Sequence, residues 1–286
     1  MKGWDCLFRW IFKRTLLLCL LALTGIVLLF ASLWFEHRTE ITLPTPSGPF
    51  SVGRQILGWT DNSIFDSLAP TPGTKRELLV WIWYPTDKSY ARTSDYLPAP
   101  LRSEVERDLG TILGKFLTRD LAKVHTNSVD DAVVSPQQSS YPVVIMRAGA
   151  SVEVWKYSSL AEDLSSHGYI VVGFDAPYRT SVVVFPDGRV MRRLPQNNPE
   201  LCLGRRDEDQ CVSRVLTAWT SDTNFVLDRL QKLNSADPSG KFNGHLDMAR
   251  VGSLDILWVV RRRCYFVMKM QGVKQVLTWM ARRTAM

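Results

Sequence analysis

The sequence predicts an α/β fold: a mostly parallel sheet flanked by helices, with an incomplete C-terminal half, preceded by one transmembrane helix. Three observations carry that expectation. The uncharged run from Thr15 to Phe35 holds about 21 residues at about 1.5 Å rise each, enough to cross a hydrocarbon core of about 30 Å. The runs Leu78 to Tyr84, Tyr141 to Met146 and Tyr169 to Phe174 are short and almost continuously apolar, as strands covered on both faces are. Helical spacing lies between the second and third runs, so strand, helix, strand predicts a parallel pair joined by a right-handed crossover.

Arg9, Lys13 and Arg14 precede the apolar run, and Glu36, His37 and Arg38 follow it. That asymmetry places the N-terminus in the cytoplasm and the body outside. Phe30-Ala31-Ser32-Leu33-Trp34 fits a signal-peptidase site poorly, which favours an uncleaved anchor over a removed signal peptide. A buried core helix of this length would show a polar face. The expected divisions are a stub and anchor over 1–38, an α/β body over 39–252 and an aberrant tail over 253–286.

At 286 residues and 45% hydrophobic content, one large α/β domain is the simplest body. The net charge of +7 gathers beside the anchor and at Arg261 to Arg263, Arg282 and Arg283. No element interleaves basic with aromatic residues, which argues against nucleic acid as a partner. Of the five cysteines, Cys202 and Cys211 lie in the body ahead of the tail, and in an oxidising compartment they can close a small disulfide loop. The four histidines, His37, His125, His167 and His245, lack metal-ligand spacing, so neither metal nor cofactor is expected. Oligomeric state is not legible.

In chain order, Leu43 to Pro49 is a proline-rich lead-in and Phe50 to Trp59 is strand-like. Val105, Leu109, Leu113, Phe116 and Leu121 give helical spacing across Leu101 to Val124, which predicts a packing helix. Arg147 to Ser151 forms the exit turn of the second strand, and a helix over Trp155 to Ser166 stops at Gly168. Asp175 then sits at the carboxyl end of its strand, where open α/β sheets meet ligands; it is a candidate for the site rim or an aspartate fixing the next turn. Val182 to Met191 is a hairpin around Asp187-Gly188. Ser213 to Asn234 is an amphipathic helix, and Leu246 to Gly252 leads into another buried strand.

The succession of Tyr141 to Met146, Ala161-Glu162-Asp163-Leu164, Ser166-His167-Gly168-Tyr169-Ile170-Val171-Val172, Asn224-Phe225-Val226-Leu227-Asp228 and Leu246 to Gly252 resembles one family. It is similar to the α/β hydrolases of the platelet-activating-factor acetylhydrolase type and their bacterial relatives, over residues 43 to 252. The resemblance implies a carboxylic ester hydrolase with a serine nucleophile, acting on small or lipid-like esters. It also implies that Gly149 and Ala150 occupy the oxyanion-hole turn, where Ala148-Gly149 departs from the His-Gly pair common in the family.

After Gly252 such a family continues as I-F-G-H-S-x-G-G, a form of the elbow that presents the nucleophile. This chain reads Ser253-Leu254-Asp255-Ile256-Leu257-Trp258-Val259-Val260 instead, so no catalytic nucleophile, acid or base is retained. Read from third codon bases onward, Gly252 to Val260 can encode I-F-G-H-S-L-G-G. Met and Trp codons always end in G, so some letters are forced. Trp258 before Val259 demands Gly, Met268 before Lys269 demands Glu, Met270 before Gln271 demands Ala, Trp279 before Met280 demands Asp, and Met280 before Ala281 demands Gly. All fit the expected continuation, which points to a frameshift. Ser151, Ser158 and Ser253 lie outside any elbow, and His167 and His245 precede the places a base should occupy. Two further readings are a non-catalytic, membrane-anchored module with a hydrolase-like fold, and a structural membrane protein whose basic C-terminal helix carries Val273, Val276, Leu277 and Met280 beside Lys274, Arg282 and Arg283.

Overall fold

Strand-forming runs that are apolar on both faces make a sheet buried on both faces, and here that sheet is mixed. The computed structural model describes residues 2–87, 93–108, 110, 118–149, 152–198, 202, 205–255, 259–260 and 263–264. In chain order these form α1 (Lys2–Arg38), β1 (Ile41–Thr42), β2 (Ser51–Phe65), β3 (Lys75–Thr86), α2 (Ala99–Asp108), β4 (Val124–His125), β5 (Ser128–Asp130), β6 (Tyr141–Arg147), α3 (Ser158–Ser166), β7 (Ile170–Asp175), β8 (Val182–Val184), β9 (Val190–Arg192), α4 (Glu208–Ala236), β10 (Leu246–Asp255), β11 (Val259–Val260) and β12 (Arg263–Cys264). The main sheet runs β10-β6-β7-β3-β2-β5. β10, β6 and β7 are mutually parallel, β3 is antiparallel to both β7 and β2, and β5 runs parallel to β2.

Alternation along β3 explains both layers of core. Leu78, Val80, Ile82 and Tyr84 face one way, where they meet Val226 and Leu230 of α4 and Phe242. Leu79, Trp81 and Trp83 face the other way, toward Ala161 of α3, Leu97, Leu101 and the β8–β9 hairpin. A one-residue slip would exchange these layers, so the register is strongly specified. α3 ends as its sequence predicts: Gly168 adopts φ +88°, and its N–H bonds the Ser165 carbonyl.

Two sequence expectations change. The helix expected across Leu101 to Val124 stops at Asp108, because Gly110 turns the chain at φ +78°. Leu121–Lys123 is a short 3₁₀ turn capped by the Asp120 carboxylate, and Val124 enters β4. Leu109, Leu113 and Phe116 lie outside the described residues. Conversely, the helix expected from Ser213 begins earlier and runs Glu208–Ala236.

The Leu246 connector is itself strand. Leu246 and Asp247 pair with Tyr141 and Pro142, whereas Val251 to Asp255 pair with Val143 to Arg147. Met248, Ala249 and Arg250 bulge out between these segments, and the Asp247 carboxylate accepts the N–H groups of Ala249 and Arg250. Among the described residues β10 is one edge of the main sheet. The tail's later hydrophobic and basic residues, from 265 on, lie outside the described residues.

α1 includes the whole uncharged run Thr15 to Phe35 and is the one described helix long and apolar enough to cross a membrane.

Candidate active site

The carboxyl ends of β6, β7 and β10 gather at one edge of the sheet, the edge at which open α/β folds bind ligands. β6 delivers Arg147 and then Ala148 and Gly149, half-buried, with the Gly149 carbonyl accepting the Val152 N–H at 3.1 Å. Ala150 and Ser151, expected in the oxyanion turn and as a substitute nucleophile, lie outside the described residues. The Arg147 guanidinium lies 5.2 Å from the centre of the Trp219 ring on α4.

Asp175 ends β7 but does not line an open rim. Its carboxyl is 1% exposed, and Oδ1 accepts the Val154 N–H at 2.8 Å, so it fastens the entry to α3. Burial pushes its pKa up to about 8, against the lowering effect of the Val154 N–H; the nearby Glu153 pushes the same way as burial. At neutral pH the group is mainly protonated, a state that suits a neutral interior. Gly173, just before it, has no room for a side chain, since a Cβ there would come within 2.3 Å of Val154 Cγ2.

Behind this edge lies a buried charge cluster. Arg179 bonds Asp66 at 3.0 Å and Asp222 at 2.8 Å, and Arg76 approaches Asp222 at 3.5 Å while donating to Ser221 Oγ. Burial pushes the Asp222 carboxyl above its ordinary range, with Arg179 and then Arg76 opposing. Tyr178, beside Arg179, holds a left-handed φ of 65°, where its carbonyl accepts from Leu194 N–H and Asn197 Nδ2. The sequence signal for this cluster was an aspartate at 222 in the stripe Val215, Ala218, Val226, Leu230: an acid amid apolar helix positions calls for a buried cation.

The alternative nucleophiles and bases do not converge on this edge. Ser253 lies within β10 opposite Ile145, in strand pairing rather than at an elbow. The buried Ser158 Oγ donates to the Trp155 carbonyl. His245 accepts the Tyr141 N–H on its carbonyl, which puts it at the amino end of β6, about 25 Å from Gly149 at roughly 3.3 Å per strand residue. His167 caps the end of α3 near the start of β7, with Nε2 3.0 Å from Ser47 Oγ. Among the described residues no group of three or more acids, cysteines or histidines converges as a metal site. Cys202 and Cys211 form a disulfide at the head of α4, away from the β6 turn.

The crossed strand order and the gathered carboxyl ends make this an α/β hydrolase. The family profile described as platelet-activating factor acetylhydrolase, isoform II, matches residues 35–185, more than half of the chain, and the chain belongs to that family. It is 31% identical over 210 residues to a protein described as a probable 1-alkyl-2-acetylglycerophosphocholine esterase from Arthroderma benhamiae, covering 68% of this chain and 50% of that protein. Its fold is similar to a ferulic acid esterase from Streptomyces cinnamoneus, at a TM-score of 0.57 and 29% identity, over 75% of this chain and 54% of that one. The chain thus spans about half the length of the relatives it matches.

Proposed function

We propose that this chain descends from a membrane-anchored carboxylic ester hydrolase that used a serine nucleophile on short-acyl or lipid-like esters, and that the chain as written does not turn over such esters. The observation that carries this reading is the course of β10. It brings Gly252, Ser253, Leu254 and Asp255 alongside β6 in regular pairing, where an α/β hydrolase would turn sharply to present its serine. Hydrolysis on this fold needs a nucleophile, a base, an orienting carboxylate and N–H donors to the oxyanion. Of these, only the β6 turn at Gly149 and Ala150 is written in the chain, and it supplies part of an oxyanion hole. The codon arithmetic around Trp258, Met268 and Met280 supports a frameshift as the cause. The likeness to esterases of two organisms supports the ester substrate, and the apolar Thr15 to Phe35 stretch supports the anchor, with the body outside the cytoplasm.

The test is the purified full chain against p-nitrophenyl acetate and a short-acyl glycerophospholipid. No release above buffer is expected, while the gene corrected to read G-H-S-L-G-G after Val251 yields a phosphonate-sensitive esterase. Phosphonate-sensitive turnover by the uncorrected chain overturns the inactive reading.

A further inference from the structure

The stretch from the end of α1 to the first long strand is bonded to the body almost throughout. Glu36 pairs with Arg119, whose Nη1 also donates to the Thr39 carbonyl at 2.8 Å. The Asp120 N–H reaches the His37 carbonyl, and Lys123 pairs with Glu40 at 2.8 Å. β1 then runs parallel to β4, and the Leu43 N–H bonds the His125 carbonyl at 2.9 Å. Asn127 Nδ2 holds the carbonyls of Leu43 and Pro44, and Ser47 bonds Asp163 of α3. A free linker of ten residues would let its ends separate by about 17 Å on average, so these bonds remove a large freedom of swing.

The helix carries its own depth marks. Arg14 lies over the Trp10 ring at 5.0 Å, and Arg38 over the Trp34 ring at 4.8 Å. The two pairs are separated by about 36 Å at roughly 1.5 Å per residue, which suits a hydrocarbon core of about 30 Å with an aromatic belt at each interface. Glu36 follows Trp34 within the same turn, so its partner Arg119 is drawn into the headgroup layer.

We propose that residues 118–125, with β1, form a membrane seat. This surface docks on the zwitterionic headgroups of the leaflet from which α1 emerges and holds the body at one height and tilt. The proposal rests on the reading of α1 as an anchor. Zwitterionic lipid fits because the seat's charges are already matched: Arg119 by Glu36, and Lys123 by Glu40. Lys123 holds the Glu40 carboxyl below its usual range by hydrogen bond and charge, so the pair stays ionised through neutral pH.

The test uses the full chain in phosphatidylcholine nanodiscs, with Cys6, Cys19 and Cys264 replaced by alanine. A bimane probe is placed at Ala122→Cys or at Asn62→Cys, the latter about 30 Å along β2 from Val52 at roughly 3.3 Å per residue. Nitroxide-headgroup lipid should quench the Ala122 probe several-fold more than the Asn62 probe. A Gly-Ser insertion of about ten residues after Thr39, combined with Arg119→Ala and Lys123→Ala, should remove that difference. Equal quenching at both positions, or quenching unchanged by the insertion, with the helix still resistant to carbonate extraction, overturns the seat and leaves the anchor standing. Release of the chain by carbonate overturns the anchor reading and the seat with it.

Discussion

The two ends of the parallel strands are held by opposite means. At the amino end the bonds are mostly to backbone: Glu162 accepts the N–H groups of Asn127 and Ser128, Ser166 Oγ accepts the Gly48 N–H, and the Ser166 carbonyl accepts the Phe50 N–H. At the carboxyl end the chain instead buries charge, in Arg179, Asp66, Asp222 and Arg76, and a protonated Asp175. Backbone-directed bonds tolerate the loss of one partner, whereas buried charges punish it. The end that this fold gives over to chemistry is therefore the more fragile one.

Arg179→Met should produce the largest effect, a loss of about 3–5 kcal/mol in denaturant unfolding, because Asp66 and Asp222 are left facing each other without their shared cation. A loss below about 1 kcal/mol would mean that the cluster contributes little. Asp175→Asn comes next, and its effect depends on pH. The folded pKa, about 8, lies above the ordinary carboxylate value of about 3.9, so the folded state binds the extra proton. Stability from this group is complete below about pH 4 and drains away as pH rises toward 8. The asparagine variant carries no such penalty, so its melting temperature should gain on the wild type between pH 5 and pH 8, by the equivalent of a few kcal/mol. A gap that does not change with pH would refute the raised pKa.

Changes at the amino end should cost less. Gly48→Ala places a Cβ 2.2 Å from the Ser166 carbonyl oxygen, a backbone atom that cannot swing aside, and should destabilise by about 1–3 kcal/mol. Ser47→Ala removes exposed bonds to Asp163 and His167 and should cost no more than about 1 kcal/mol, measurable by chemical denaturation. If Ser47→Ala proved as damaging as Arg179→Met, the contrast between the two ends would fail.

Legibility in the sequence followed the same divide between local and assembled features. β3, β6 and β7 were readable because a strand buried on both faces writes an unbroken apolar run. The helix over Leu101 to Val124 was misread because Leu101 and Leu121 do reach the same core layer, but as separate pieces. Gly110, with its positive φ, was the overlooked signal. The Arg179 cluster could not be assembled from spacing, since Asp66, Arg76, Arg179 and Asp222 come from different segments. Asp175 was readable in position, and its two candidate roles were separated only by its bond to Val154, which lies before it in the chain rather than in the turn that follows.

The bulge at Met248, Ala249 and Arg250 resets the phase of β10. Leu246 and Val251 lie an odd number of residues apart, yet both join the same core layer, through Tyr141 and Val143. The level at which β10 ends is thus dictated by its neighbour β6 and not by a count of residues from α4. Additions or losses within that bulge would be absorbed at the solvent side, leaving Gly252 to Leu254 where they stand. The strand that should present a nucleophile is in this way insulated from length changes upstream, and exposed only to those that come after it.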